Sequence, residues 1–394
     1  MNVSRGYPVT VITKKGTRWL EEGHPWVYEG EVLSVEPQPE DGALTDVVSK
    51  SGKYLGTGFY NSKSKIRVRI LSRNANDRFD ESFFERRLKY AVDYRRTVMG
   101  GDISCCRLIF GESDGFPGLT VDRFGTLLSA EVLCRGIDDR KAMIFGALVD
   151  LLRGSGERID GIFERNESAI RQLEGMSQYR AWFSLPGEKT PESPLVQITE
   201  NGIIYEVDVE NGQKTGFFLD QKFNRLAVAR ISKGKRVLDC FTHTGSFALN
   251  AAAGGAAEVT AVDISDTALE KARLNAAKNG LADRITFERA DVFDYLRELG
   301  ESGRRPFDLI ILDPPAFTKS RKTAGSAEKG YREINLRAMK LLPRGGYLAT
   351  CSCSHFMPLE RFEGMLRSAA REAGVELKEI EVKKQSPDHP VLWN

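Results

Sequence analysis

From about residue 195 onward, short apolar runs alternate with stretches whose apolar residues recur at helical spacing. The pattern predicts strands over 237–239, 259–262, 285–287, 307–312 and 347–351. Between and after them it predicts helices from 246, over 266–279, 292–299 and 330–342, and over 358–373. Regular alternation of this kind predicts a parallel sheet with helices on both faces. Residues 1–74 read differently, as a β-rich module of short apolar runs such as Val9-Thr10-Val11-Ile12 and Trp26-Val27-Tyr28 separated by turns. Within it, residues 65–70 alternate strictly, which as a strand sends Ile66, Val68 and Ile70 inward. Lys65, Arg67 and Arg69 then share one solvent face, where they either hold phosphates or are simply solvated.

A middle region, 75–193, opens with a basic helical stretch over 83–99. It continues with strands over 119–122, 127–132 and 161–164, a helix over 138–153 and a glycine-rich loop at 111–118. Residues 186–194, rich in Pro, Glu and Lys, read as a linker. The division expected is therefore 1–74, 75–193 and 194–394. With 394 residues the chain exceeds what one core usually serves. A composition 41% hydrophobic and 28% charged is that of a globular protein, and no apolar run approaches the ~20 residues that span a bilayer. Six cysteines without a paired framework, and no long apolar leader, fit a reduced cytoplasm and no membrane. A net charge of +2 leaves nucleic-acid binding to local clustering of basic residues.

The candidate chemistry gathers at predicted strand ends. Val237-Leu238-Asp239-Cys240-Phe241-Thr242-His243-Thr244-Gly245 is a strand entering a small-residue turn before a helix, where doubly wound sheets bind ligands. Gly245 is expected to let a ligand approach the backbone, and the absence of G-x-G-x-x-G argues against a dinucleotide. Asp263 ends the second strand, where a carboxylate can accept from both hydroxyls of a ribose, and Asp291 follows the third, where one can accept from an adenine amine. Each aspartate alone reads as a helix N-cap, while the pair after such a turn reads as an adenosine site. The fourth strand ends in Asp313-Pro314-Pro315-Ala316-Phe317, a stiff acceptor edge suited to the exocyclic amine of a base. The fifth ends in Cys351-Ser352-Cys353-Ser354-His355. Alternate positions allow Cys351, Cys353 and His355 to share a metal, but a structural site needs four ligands. Buried inert thiols are the second reading, and the carboxyl edge of a sheet favours the third, a catalytic nucleophile. Residues 213–221 read as a loop running into a helix, with an exposed aromatic pair.

In combination, residues 212–221, 237–245, 313–315 and 351–354, with Gly23-His24-Pro25-Trp26-Val27-Tyr28 and 111–122, closely resemble the large-subunit ribosomal RNA cytosine-5 methyltransferases that carry an N-terminal PUA domain. The resemblance spans nearly the whole chain. It implies a class I (Rossmann-like) methyltransferase α/β domain preceded by a PUA RNA-binding domain and an α+β linking domain. It implies S-adenosylmethionine as cofactor and 23S ribosomal RNA as partner, with a homodimer as the assembly considered and no metal. The cofactor residues it implies are Lys214, Thr215, Phe218, Asp220 and Gln221, which help close the site. To these it adds Asp239, Phe241, Thr244, Gly245, Asp263, Asp291, Val292, Asp313 and Pro314.

Cytosine C5 is a weak nucleophile until a thiolate adds at C6. Cys353, further past the strand end than Cys351, is the expected nucleophile, Cys351 the alternative, and Asp313 the group that holds the base. Ala316 and Phe317 stand where many relatives have a second cysteine, so no residue is assigned to remove the C5 proton. Family members also continue into a last strand beyond the position of Asn394. Two rival readings are N-methylation of a guanine or adenine, which needs no cysteine, and an RNA-binding assembly factor with a vestigial cofactor site.

Overall fold

The computed structural model describes residues 5–317, 324–354 and 356–393. The chain forms two compact units, one of residues up to Ile198 with Glu206–Asp220 and the segment from Ser386, the other of Thr199–Tyr205 with Gln221–Gln385. Among the described residues no helix is long and apolar enough to cross a membrane.

The first unit opens with a six-stranded sheet of β1 (Val9–Ile12), β2 (Trp26–Tyr28), β3 (Val32–Glu36), β4 (Leu44–Ser49), β5 (Tyr54–Tyr60) and β6 (Ile66–Ser72), in the order β2-β6-β5-β4-β1-β3. Helix α1 (Lys14–Glu21) is started by Thr13, whose side chain accepts from the Gly16 N–H, and it buries Leu20 with Ile12, Val27, Val47 and Val68. Gly58 in β5 is obligatory, because a Cβ there would meet the Arg69 carbonyl of the neighbouring strand.

The unit continues with α2 (Glu81–Val98), capped by Asp80 accepting from the Phe83 N–H at 3.1 Å. A second sheet follows, of β7 (Cys105–Phe110), β8 (Leu119–Phe124), β9 (Leu127–Val132), β10 (Gly161–Asn166) and β11 (Tyr179–Phe183), ordered β11-β10-β9-β8-β7. The helix expected over 138–153 is instead a short α3 (Arg135–Asp138) and α4 (Lys141–Gly154). The break falls at Arg140, whose guanidinium donates back to the Gly136 carbonyl at 2.9 Å. A single turn, α5 (Ile170–Leu173), precedes β11, and residues 186–194 carry no regular element.

An antiparallel pair, β12 (Leu195–Glu200) and β13 (Ile203–Asp208), leads on to α6 (Lys222–Ile231). The second unit is then built on β14 (Arg236–Cys240), β15 (Glu258–Asp263), β16 (Ile285–Arg289), β17 (Leu309–Leu312) and β18 (Tyr347–Thr350). All pairings are parallel, in the order β16-β15-β14-β17-β18. The strands from β14 to β17 are followed by α7 (Ser246–Ala253), α8 (Asp266–Lys278), α9 (Val292–Glu301) and α10 (Ala324–Leu341), and α11 (Leu359–Ala373) follows β18. β17 is apolar and buried throughout, and β14 is buried from Val237 to Cys240, because helices cover both faces of the sheet. On one face Val292 and Leu296 of α9 and Ile334 and Ala338 of α10 pack on Leu238, Cys240 and Leu312. The order of strands reverses at β14, so the crevice between the carboxyl ends of β14 and β17 is the switch point of the sheet. Among the described residues no strand follows α11.

Candidate functional site

Asp239 is the next-to-last residue of β14 and is fully buried. Its Oδ2 accepts from the Thr242 hydroxyl at 2.5 Å and the Ala248 N–H at 2.9 Å, while among the described residues buried Oδ1 has no hydrogen-bond partner. Burial pushes its pKa up to about 7, against the two bonds that stabilise the anion, with the charge of Asp313 adding to the rise. A buried carboxylate oxygen without a donor is costly unless a ligand brings one.

The turn that follows is strained. Phe241 and His243 hold φ of 63° and 51°, a region non-glycine residues rarely occupy, and Gly245 holds 80°. At Gly245 a Cβ would sit 3.0 Å from the Ala272 Cβ of α8, so helix packing and the positive φ both call for glycine there. Thr244 is half-buried, and its carbonyl accepts from Asn275 at 3.3 Å.

Asp263, at the end of β15, is oriented by the same turn. Its Oδ2 accepts from the His243 N–H at 2.8 Å and its Oδ1 from the Ser265 N–H at 2.9 Å. Each oxygen keeps a lone pair for a further donor. Asp291 caps α9, its Oδ1 accepting from the N–H groups of Phe293 at 2.8 Å and Asp294 at 3.3 Å. The side chain is exposed. Val292 is not a surface residue of the crevice, because its side chain lies in the core and only its backbone is left to offer.

At the end of β17, both oxygens of half-buried Asp313 accept from the Gln221 amide, at 3.3 and 3.4 Å. Gln221 is steadied by Asn224, which donates to its Oε1 at 2.6 Å. Sequence reasoning missed Asn224, although its i,i+3 spacing from Gln221 places both on one helix face. Pro314 is buried, and its carbonyl lies 3.9 Å from the Cys353 Sγ, which reaches it as a donor from beyond β18. Cys353 is exposed and Cys351 half-buried. Burial, with the nearby charge of Asp313 next, drives the Cys351 pKa well above the usual thiol value. His355, the third member of the metal reading, lies outside the described residues. Phe317 joins an aromatic cluster with Tyr331 at 4.7 Å, Phe293 at 5.8 Å and Phe241 at 6.5 Å between centroids.

Lys214, Thr215, Phe218 and Asp220 fall in the first unit. Lys214, at φ 52°, sits over the Phe218 ring at 4.6 Å and pairs with Asp220 at 3.3 Å. Thr215 is buried and donates to Asp122, which is also held by Arg107 at 2.7 Å. The aromatic pair is not exposed as expected. Phe217 is 7% exposed and Phe218 half-buried.

The expectation of three cations on one solvent face of β6 is also corrected. Lys65 is exposed, but half-buried Arg67 donates to the Asn61 carbonyl at 3.0 Å. Arg69 is buried and bridges Glu174 at 3.0 Å and Glu112 at 3.3 Å. That face of the strand is covered by carboxylates of the middle region, so Arg69 has no free charge to offer. A cleft of about 610 Å³ lies elsewhere in the module, lined by Lys15, Trp19, His24 and Tyr28 among others.

Comparison with known proteins agrees with this architecture. Residues 172–392 match the family model of S-adenosylmethionine-dependent methyltransferases, and residues 11–73 match a PUA-like domain. Ribosomal RNA large subunit methyltransferase I of Klebsiella pneumoniae (strain 342) is 39% identical over 98% of this chain and 94% of the relative. Its namesake in Aeromonas salmonicida (strain A449) is 40% identical over 96% of this chain and 94% of the relative. Among solved structures, SMU.776 complexed with SAH superposes with a TM-score of 0.78 over 97% of this chain and 95% of that one, at 21% identity. That likeness speaks for the fold. The donor set fits the cofactor, since orphaned, buried Asp239 and backbone-oriented Asp263 are acceptors suited to an amine and a ribose. With over half its length matched by the family model and full-length relatives at close to 40% identity, the chain belongs to the S-adenosylmethionine-dependent methyltransferase family.

Proposed function

We propose that this protein methylates C5 of a cytosine in large-subunit ribosomal RNA, with Cys353 as the nucleophile. The observation that carries the reading is the exposed Cys353 thiol beside the Asp313-Pro314-Pro315 turn, 3.9 Å from the Pro314 carbonyl. The substrate class rests on the relatives' name and on the PUA-like module. S-adenosylmethionine supplies the methyl group, and Asp239, Asp263 and Asp291 at adjoining strand ends are the side chains that would hold it.

The Asp313 carboxylate accepts from the exocyclic amine of the flipped base, and Gln221 keeps that carboxylate in place. The Cys353 thiolate forms a bond to C6, which moves electron density to C5 and makes it competent to take the methyl group. Loss of the C5 proton and expulsion of the thiolate then restore the aromatic base. Cys351 is unsuited to the role because burial disfavours its thiolate. The amino-group reading needs Phe317 as a free stacking surface, and that ring is half-buried against Tyr331 and Phe293.

The test is a large-subunit ribosomal RNA transcript carrying 5-fluorocytosine. The wild type should form a covalent complex, because fluorine cannot leave as a proton, and Cys353→Ala should form none while still binding S-adenosylmethionine. Absence of any adduct with wild type, alongside methylated product on an amino group, overturns the cytosine-5 reading. An adduct that survives Cys353→Ala and disappears in Cys351→Ala moves the nucleophile by two residues.

A further inference from the structure

Helix α2 carries Arg86, Arg87 and Tyr90 on one side, at i, i+1 and i+4. With Asp77 and Asp114 these residues line a cavity of about 280 Å³ on the first unit. Both acids are already engaged. Asp114 takes a bidentate pair from buried Arg95, at 2.5 and 2.7 Å, and the Phe110 N–H at 2.6 Å. Asp77 accepts from Ser72 at 2.5 Å and faces Arg86 at 3.6 Å. Arg87 is the cation left over. Among the described residues it has neither an ion pair nor a hydrogen bond, and the more distant charge of Asp77 offsets it while that of Arg86 opposes it.

The position of Arg87 is nonetheless built. Its guanidinium lies over the Phe83 ring at 4.6 Å and against Gly115, where a Cβ would land on Nη1. Gly115 also holds φ 74°, so no other residue both makes this turn and leaves room for the guanidinium. Its burial lowers the pKa, as expected for a partly desolvated charge with little compensation. A held, half-buried guanidinium with its donors unmet is an anion site, and a guanidinium fork matches phosphate. Tyr90, 63% exposed and one helical turn away, is a bare aromatic surface of the kind on which bases stack.

We propose that Arg87 and Tyr90 form an RNA-binding site on α2, in which Arg87 holds a backbone phosphate and Tyr90 stacks an unpaired base, with Arg86 adding charge at the rim. The proposal rests on RNA being the substrate. It adds a contact outside both the PUA-like module and the methyl-transfer crevice.

Binding of a full-length large-subunit ribosomal RNA transcript, followed across a salt series, tests it. Arg87→Gln should weaken binding roughly tenfold and flatten the log–log salt slope by about 0.7 to 0.9, the signature of one lost phosphate. Tyr90→Ala should weaken binding roughly 5- to 150-fold with the slope unchanged. Both should bind S-adenosylmethionine as the wild type does. Tyr90 is exposed, so Tyr90→Ala decides the matter even if Arg87→Gln fails to fold. Wild-type binding retained in full by both variants overturns the proposal and leaves the RNA reading intact. Failure of the wild type to bind the transcript removes the RNA reading, and the proposal with it. Inorganic phosphate that binds wild type but not Arg87→Gln, with RNA affinity unchanged between them, marks a small-anion site and also overturns the proposal.

Discussion

The Gln221 side-chain amide donates to both carboxylate oxygens of Asp313, at 3.3 and 3.4 Å, and is itself held by Asn224 at 2.6 Å. A carboxylate fixed this way presents its remaining lone pairs in one direction, which matters if it is to accept from a base amine. Gln221→Ala is expected to lower kcat on ribosomal RNA by roughly 2- to 10-fold, the worth of one ordinary hydrogen bond. Gln221→Glu, of the same shape, sets a second negative charge against Asp313 and should cost more than the alanine. Equal kcat for all three proteins would remove Gln221 from any positioning role.

Asp263 gives the most direct handle on the cofactor. Its oxygens are oriented by the N–H groups of His243 and Ser265, leaving two acceptor positions for ribose hydroxyls. Asp263→Ala should weaken S-adenosylmethionine binding by about 1 to 3 kcal/mol, since two hydroxyls would lose their acceptor. Calorimetric titration of the folded variant measures this. An unchanged affinity would take Asp263 out of the cofactor site.

Arg69 shows where reading the sequence succeeds and where it stops. Alternation over 65–70 correctly puts Val68 and Ile70 in the core of the first module. It cannot show that the opposite face is also covered, because the covering carboxylates, Glu112 and Glu174, lie 43 and 105 residues further on. The same limit applies to Phe217, which packs out of solvent although its segment reads as an exposed loop. The strand-end aspartates were legible for the opposite reason. In a parallel sheet every carboxyl end falls on the same edge, so order along the chain places Asp239, Asp263 and Asp313 together without knowledge of distant contacts. Asn224 escaped notice because it acts through Gln221 rather than through a motif.

The buried Arg69 cluster makes its own prediction. Glu112 also accepts from the Trp26 indole at 2.7 Å, so the cluster ties β2 and β6 to the middle region. Arg69→Gln would leave buried carboxylates without a cation, and destabilisation of about 3 to 5 kcal/mol is expected. Lys65→Gln, at an exposed position, should stay within about 0.5 kcal/mol of wild type. Denaturant unfolding followed by tryptophan fluorescence distinguishes them. If the two variants melt alike, Arg69 is not holding the regions together.

Asp239 should make stability depend on pH. In the unfolded chain its pKa is near 3.8, while burial in the fold raises it to about 7. Between these values the folded state binds the proton that the unfolded state has released, so stability falls as pH rises. Its contribution is complete below about pH 4 and lost above about pH 7. Asp239→Asn removes the titration, so without cofactor the variant's Tm should gain on that of wild type across this interval and then hold a constant lead. The cationic cofactor reverses the preference, since it favours the ionised carboxylate. Wild-type affinity for S-adenosylmethionine should therefore improve as pH rises through about 7, and the variant's should not. A wild-type Tm that tracks the variant's from pH 4 to 8 would show that Asp239 does not titrate in this range.

The thiols differ enough in environment to be told apart by reactivity alone. Cys105, Cys106, Cys134 and Cys240 are buried, and burial pushes Cys134 up to about 11 and Cys240 well above the usual thiol value. Cys351 is half-buried and raised likewise, whereas Cys353 is exposed at the carboxyl edge of the sheet. Alkylation requires the thiolate and access to it, so iodoacetamide at neutral pH should label Cys353 first. Peptide mass spectrometry should find close to one label per chain before others appear, with loss of methyl transfer in step with that label. Bound ribosomal RNA should slow the reaction at Cys353, because a base seated against Asp313 covers the thiol. The cofactor alone should slow it less. Labelling that reaches Cys351 first, or modification of Cys353 that leaves turnover intact, would remove Cys353 from the chemistry.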